Sequence, residues 1–166
     1  MTRIASVFVV GAAAFLSAWS IDAWVFEPAK CNVAITELTQ RTDAVHQLRS
    51  PYDQVRRARR NLEELRALGC HTDVRVAVLI AANEEALGQY DDAIDAYRSA
   101  LLVDRRPEIY FMIGDALVQL GRTDEAVESY VIAARFTPFI LDNLTSPEIN
   151  RRVRERLRPE EAQRTP

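Results

Sequence analysis

The strongest constraint on the fold is a residue pattern that occurs twice between residues 74 and 138. The two copies are in register at an offset of 33 positions, the separation of Gly88 and Gly121. The matched positions keep similar size and polarity: Ile80 and Ile113, Ala81 and Gly114, Leu87 and Leu120, Ala93 and Ala126, Ile94 and Val127, Tyr97 and Tyr130, Ala100 and Ala133. Such a repetition predicts two similar helical hairpins that stack side by side.

Each matched pair has a packing reason. Ala81 and Gly114 lie in the middle of the first helix of each hairpin, where only a small residue lets the second helix approach closely. Gly88 and Gly121 stand where that first helix ends, because a glycine there adopts the left-handed conformation of a helix C-cap. Acidic residues follow at the start of the second helix, where the helix dipole favours negative charge.

This pattern resembles the tetratricopeptide repeat, whose period is about 34 residues. The second copy carries the resemblance best, since Gly114, Tyr130 and the closing Pro138 stand at the family's spacing. The first copy departs from it, with Arg105 in place of the closing proline and Glu84 where an aromatic is common. The resemblance implies an all-α protein, an α-solenoid of antiparallel helix hairpins with repeats at 73–106 and 107–140.

The first 26 residues resemble an export signal. Arg3 precedes residues 4–21, which carry no charge. The run is near the lower limit for a membrane-spanning helix, so we expect a signal anchor over residues 1–26, with cleavage after Ser20 as the alternative. Both interpretations place residues 27–166 outside the cytoplasm, and we expect a periplasmic domain held at a bacterial inner membrane or released from it.

Residues 27–72 are predicted to form a helical hairpin, either plain or a degenerate third repeat. Cys31 precedes its first helix and Cys70 follows its second. Because those two ends meet in an antiparallel hairpin and an exported protein meets oxidising conditions, we expect a Cys31–Cys70 disulfide. Two unpaired thiols are the alternative.

In the tetratricopeptide family the first helices of successive repeats line a concave surface that binds peptides or partner helices. The resemblance carries these lining positions onto Arg75, Val78, Leu79, Ala82, Glu85 and Ala86 of the first copy and Glu108, Phe111, Met112, Asp115, Val118 and Gln119 of the second. The surface would have an apolar floor and acidic rims. The repeats contain no lysine, so the family's clamp for acidic C-terminal tails is absent, and we expect apolar or basic segments as partners. The alternative is that a terminal segment covers these residues as core.

Residues 141–158 are predicted to form a capping helix, because Ile149, Val153 and Leu157 recur at helical spacing on an otherwise polar segment. Residues 159–166 are predicted to be a disordered tail.

No catalytic, cofactor or metal-ligating pattern occurs in the sequence. The pairs Glu84–Glu85 and Asp91–Asp92 are expected to be solvated, and a net charge of −3 argues against nucleic acid as a partner. We therefore expect a non-enzymatic scaffold or adaptor of the cell envelope that binds another envelope or membrane protein. The alternatives are an accessory structural subunit of a membrane protein complex and a self-associating homo-oligomer.

Overall fold

The computed structural model describes residues 27–70 and 72–164. These residues form helices and connecting turns, with no strand among them. The α-helices are α1 (Glu27–Asp43), α2 (Pro51–Ala67), α3 (Val74–Ala86), α4 (Tyr90–Val103), α5 (Pro107–Gln119), α6 (Thr123–Phe136) and α7 (Pro147–Arg164). Short 3₁₀ segments occupy Val45–Gln47 and Pro138–Asn143. The all-α fold class is thus confirmed for the described residues.

The helix boundaries follow from local chemistry. Ser50 accepts a hydrogen bond from the backbone N–H of Asp53, and Pro51 occupies the first turn of α2. The carboxylate of Asp73 caps α3 by accepting from the N–H of Arg75. The chain reverses direction in the same way in both repeats, because Gly88 and Gly121 adopt positive φ angles of 73° and 72°. The left-handed C-caps predicted at these two glycines are therefore present.

From residue 38 onward the described residues form one compact unit, whereas the earlier residues of α1 belong to a second unit. In the larger unit each helix from α2 to α7 packs on the next one along the chain. Its core consists of the positions that recur between the two repeats. Ala81, Ala93, Ala100, Ala126 and Ala133 are fully buried, and so is almost all of Tyr97 and Tyr130.

Gly114 of α5 lies close against the ring of Tyr130 of α6. A Cβ atom on Gly114 would lie 2.5 Å from Cε1 of the Tyr130 ring. No side chain fits at that distance, so glycine is required here by the space that the tyrosine ring occupies. In the first repeat the equivalent pair is Ala81 and Tyr97, so this approach is tighter in the second repeat by one methyl group.

The C-terminal helix packs on the second repeat. Ile149 and Val153 of α7 are buried with the core and Leu157 is half-buried, which is the apolar stripe seen in the sequence. On the solvent side, Arg152 and Arg156 pair with Asp124 and Glu128 of α6. The helix continues to Arg164. Residues 159–164, predicted as part of a disordered tail, are therefore helical.

The predicted signal anchor at residues 1–26 lies outside the described residues. Within the part of the chain that the structure describes, none of the helices is both long enough and apolar enough to cross a bilayer. Both cysteines, Cys31 and Cys70, are disulfide-bonded, in agreement with the disulfide that the sequence predicts.

We expect Gly114→Ala to destabilise the protein by about 1–2 kcal/mol. Overpacking against Tyr130 costs roughly 1–3 kcal/mol, and the higher helix propensity of alanine offsets up to about 1 kcal/mol of it. Urea unfolding followed by circular dichroism measures the change. The comparison variant is Ala81→Gly in the first repeat, which adds no atom and is expected to lose helix propensity of about 1 kcal/mol. An increase in stability for Gly114→Ala, as at an uncrowded helical glycine, would contradict the tight contact.

Candidate functional site

The concave groove is the surface that the sequence assigns to the first helices of the two repeats, α3 and α5. These two helices flank α4, which packs against both. Most of the predicted lining residues are at least partly open to solvent. Val78, Ala82, Glu85, Ala86, Phe111, Met112 and Val118 are half-buried, whereas Arg75, Glu108, Asp115 and Gln119 are exposed.

Leu79 does not belong to this surface. Its side chain is only 7% exposed, so the structure corrects the prediction and places Leu79 in the core. Arg75 lies at the start of α3, where its guanidinium pairs with the capping Asp73 at 2.6 Å. It therefore sits at the end of the groove rather than on its floor.

The apolar floor of the groove is on α5. Phe111 packs on Tyr130, with their ring centroids 5.2 Å apart and the planes tilted by 57°. Met112 and Val118 are half-buried beside the same core. Each of these three side chains packs against the core on one side and is open to solvent on the other. The floor therefore offers apolar contact without exposing a large patch.

A carboxylate on each first helix is hydrogen-bonded to a core tyrosine. The hydroxyl of Tyr130 donates to Oδ1 of Asp115 at 2.6 Å, and the hydroxyl of Tyr97 donates to the Glu85 carboxylate. The two tyrosines are repeat equivalents, but the two acids are not: Asp115 corresponds to Ala82, and Glu85 to Val118. Each repeat thus contains a similar tyrosine–acid pair, but the acid comes from a different turn of the first helix.

Burial raises the pKa values of both acids. The pKa of Glu85 rises to about 7, chiefly because burial penalises the charged form; the Tyr97 hydrogen bond opposes this shift, and the negative charge of Asp115 adds to it. Asp115 remains accessible to solvent, yet the surrounding protein removes enough water from its carboxylate to raise its pKa, while the bond from Tyr130 opposes the rise. Burial likewise raises the pKa of both tyrosines, and their acid partners add to that effect.

A cavity of about 300 Å³ opens at the C-terminal end of the groove. Its walls come from the groove, from Tyr130 and from the segment that follows the second repeat: Asp115, Val118, Gln119, Tyr130, Asn143, Leu144, Thr145, Ser146 and Ile149. The C-terminal segment therefore builds one wall beside the groove residues and leaves Asp115 and Gln119 exposed.

The structure also reveals a buried polar network that the sequence did not indicate. The amide of Asn83 donates to Oγ1 of Thr42 at 2.9 Å and to the carbonyl of Leu79 at 2.8 Å. Its oxygen accepts a bond of 3.2 Å from Asn61. All three polar side chains are buried. Oδ1 of Asn61 finds no hydrogen-bond partner among the described residues. The network joins the residues around Thr42 and α2 to α3, and the bonds to Asn83 offset the cost of burying its amide.

Glu84 is not solvated, contrary to the expectation from the sequence. It is only 3% exposed, and Oε1 accepts a 2.8 Å bond from Arg66 of α2. Burial raises its pKa, and Arg66 opposes that rise. The neighbouring Glu85 is half-buried, whereas Asp91 and Asp92 are exposed as expected. The repeat family favours an aromatic residue at position 84. The glutamate there was the sign in the sequence that this side chain makes an unusual contact, its ion pair with Arg66.

Together, the stacked hairpins and the recurring core positions define a helical-repeat protein. Residues 107–134 match the tetratricopeptide repeat family model, so the second repeat is a tetratricopeptide repeat.

A solved structure with a TM-score above 0.5 shares the helical-repeat fold. The structure resembles a thermophilic tetratricopeptide repeat protein of Thermus thermophilus, with a TM-score of 0.62, 17% sequence identity and coverage of 83% of this chain and 68% of that chain. It also resembles the type III secretion chaperone SycD of Yersinia enterocolitica, solved with a peptide of the translocator YopD. That match has a TM-score of 0.49, 23% identity and coverage of 78% of this chain and 96% of that chain. At these identities the likeness concerns the fold. Comparison with curated sequences gave no match.

The raised pKa of Glu85 predicts that stability falls as pH rises through the neutral range. In the folded protein Glu85 keeps its proton up to about pH 7, whereas in the unfolded chain it loses it near the ordinary value of 4.5. The folded state therefore binds more protons between these values, and the free energy of unfolding decreases over that window. Since solvent reaches part of the carboxylate, we expect about 1–2 kcal/mol.

The variant Glu85→Gln should remove this dependence. We expect it to be more stable than the parent at pH 8, with the difference disappearing near pH 4, because glutamine still accepts the bond from Tyr97 but never ionises. Urea denaturation across this pH range measures the effect. Glu108→Gln, on the exposed rim, is the matched control. If the difference in unfolding free energy between Glu85→Gln and the parent stayed constant with pH, ionisation of Glu85 would not be its cause.

Proposed function

We propose that this chain is a non-enzymatic protein-interaction module that binds a segment carrying apolar and basic side chains in its concave groove. The proposal rests on one observation above all: an apolar floor lies beside two half-shielded carboxylates, Glu85 and Asp115. The tetratricopeptide repeat match at residues 107–134 and the shared fold of a solved repeat protein support a protein-interaction scaffold.

The apolar part of the groove suits an amphipathic partner. Phe111, Met112 and Val118 lie on one helix at spacings that place them along one side. Methionine adapts to partners of different shape because its side chain is unbranched and polarisable. A helix or extended segment that covers these three side chains would remove further apolar surface from water, which favours binding.

The charged part of the groove suits a cation. Each tyrosine hydroxyl engages the carboxylate from the core side, and a carboxylate has acceptor positions for several donors. A lysine or arginine of the partner would therefore find acceptors on Glu85 and Asp115. Such a pair would be stronger than one on an open surface, since both acids are already partly desolvated. The only lysine of the chain is Lys30, so the repeats lack the lysines that would grip an acidic tail.

We further propose that the module works in a bacterial cell envelope, on the periplasmic side of the inner membrane. Arg3 followed by the uncharged residues 4–21 is typical of an export signal or anchor. The disulfide-bonded state of Cys31 and Cys70 supports an oxidising compartment, because such bonds are rare in the cytosol.

The binding proposal can be tested with fluorescent amphipathic peptides that differ only in carrying lysine or glutamate on the polar face. We expect the lysine peptides to bind more tightly. The double variant Glu85→Gln/Asp115→Asn should weaken their binding by about tenfold, equivalent to ~1.4 kcal/mol, and Met112→Ser should weaken both sets. Fluorescence anisotropy gives the dissociation constants.

The control is Asp95→Asn, an exposed carboxylate on α4 that lies outside the groove. Equal affinity for lysine and glutamate peptides would refute the basic partner, and no binding by any peptide would refute the groove as a binding site. If light scattering instead gave an oligomer that Met112→Ser dissociates, the groove would be a contact between copies of the chain.

The location can be tested separately with alkaline phosphatase fused after Pro166. We expect an active enzyme, since this reporter forms its disulfides only outside the cytoplasm. Replacing Arg3 together with several residues of 4–21 by polar residues should abolish the activity. A fusion of green fluorescent protein at the same position that fluoresces, with an inactive phosphatase fusion, would place the domain in the cytoplasm.

A further inference from the structure

The cavity at the C-terminal end of the groove has one charged residue, Asp115, among the described residues that line it. Its volume is about 300 Å³, at the lower limit of the range of about 300–1,000 Å³ that is typical of ligand pockets. The other lining residues are neutral: Val118, Gln119, Tyr130, Asn143, Leu144, Thr145, Ser146 and Ile149. A cavity of this size suits one side chain rather than a whole helix.

The carboxylate of Asp115 keeps acceptor positions that no described residue uses. Its Oδ1 accepts the 2.6 Å bond from the hydroxyl of Tyr130, and no other hydrogen bond or ion pair from the described residues reaches the carboxylate. Burial and the Tyr130 hydroxyl are the influences on its pKa, and no cation is among them. Because Asp115 is exposed, Oδ2 is available to a donor from outside the chain.

The charged residues around the cavity do not supply a counter-ion for Asp115. The arginines that follow the wall residues in the sequence are engaged with other partners: Arg122 with Glu125, Arg151 with Glu148, Arg152 with Asp124 and Arg154 with Asn150. Asp142, beside the wall residue Asn143, is an exposed acid. The negative charge of Asp115 also acts on Glu85, whose pKa it raises. This end of the groove is therefore negative.

We propose that this cavity binds the side chain of one lysine of the partner segment, with the ammonium group on Asp115. The inference rests on the proposed binding function of the groove and identifies the residue that anchors the partner. The methylene groups of the lysine would lie along Val118, Leu144 and Ile149, because long cationic side chains place their stems on apolar surface. The ammonium group would donate to Asp115 and to neutral polar groups of the wall, since it carries three donors.

The hydrogen bond from Tyr130 favours lysine over arginine in this cavity. A guanidinium pairs best when two parallel N–H groups meet both oxygens of a carboxylate. Oδ1 of Asp115 already accepts from Tyr130, which leaves Oδ2 as the free oxygen. A single free oxygen suits the compact charge of an ammonium group better than the planar fork of a guanidinium.

The test uses the full chain and fluorescent amphipathic peptides that carry one lysine on a polar face otherwise made of glutamine. The lysine is moved through each position of that face, and fluorescence anisotropy gives the dissociation constants. We expect one position to bind most tightly. Norleucine there, which keeps the stem without the charge, should weaken binding by about tenfold, the loss of one hydrogen bond between charged groups. Arginine there should bind more weakly than lysine.

Variants of the cavity should remove the advantage of lysine. Asp115→Asn should weaken the best lysine peptide by about tenfold and change the norleucine peptide little, because asparagine still accepts the bond from Tyr130. Gln119→Trp and Thr145→Trp, both at exposed positions on different walls, should fill the cavity and reduce lysine to the affinity of norleucine. Two filling variants are used so that a folding defect in one, seen by circular dichroism, leaves the other. The matched control is Asp142→Asn, which removes an exposed carboxylate outside the cavity lining.

Equal effects of Asp115→Asn and Asp142→Asn would overturn the proposal, as would lysine binding that no position favours or that both tryptophan variants leave intact. Arginine binding as tightly as lysine would overturn the assignment of lysine, and norleucine binding as tightly would make the cavity a site for an apolar side chain. If Met112→Ser still weakened the peptides in these cases, the groove would remain the binding site. Binding by none of the peptides would refute both the cavity and the groove.

Discussion

The contact between a tyrosine ring and a residue with little or no side chain determines the geometry of this protein. Tyr130 occupies the space that a Cβ atom on Gly114 would need, and Tyr97 and Ala81 hold the same positions one repeat earlier. A large ring against a minimal side chain brings the two helices of a hairpin close together while still filling the core. Since each repeat contacts only its neighbours, this local packing is propagated along the chain.

The same tyrosines connect the core to the groove. Their rings lie among buried alanines, and their hydroxyls reach Asp115 and Glu85 on the first helices of the repeats. A phenylalanine would pack equally well but would leave the partly buried carboxylates without a donor, which costs free energy. The tyrosine therefore satisfies packing and at the same time holds the acid side chains in fixed orientations, which favours recognition by lowering the entropy lost on binding.

The sequence predicted the packing positions that recur in both repeats and missed the contacts that occur in one place only. The alanines, glycines and tyrosines at an offset of 33 identified the hairpins and their caps, because equivalent positions meet equivalent neighbours. Thr42, Asn61 and Asn83 escaped notice, and Glu84 was wrongly expected to be solvated, because these residues pair across helices of unlike sequence and no periodicity records such partners. Leu79 was misplaced as a groove residue, since its side chain is buried. The rest of the groove stays a prediction, and the sequence did not indicate that burial raises the pKa values of Glu85 and Asp115.

Glu85 lowers the stability of the free protein above its raised pKa, and the proposed binding function would account for its presence. Its repeat equivalent is Val118, and an apolar residue at position 85 would avoid burying a carboxylate that resists ionisation. Natural sequences break local rules of this kind mainly at functional sites. A bound lysine or arginine would reverse the penalty, because an opposite charge favours the ionised form and lowers the pKa. By linkage, such a partner would bind with release of a proton and more tightly above neutral pH, where the carboxylate is already ionised. The cost that Glu85 imposes on the free protein thus becomes part of the affinity for a cationic partner.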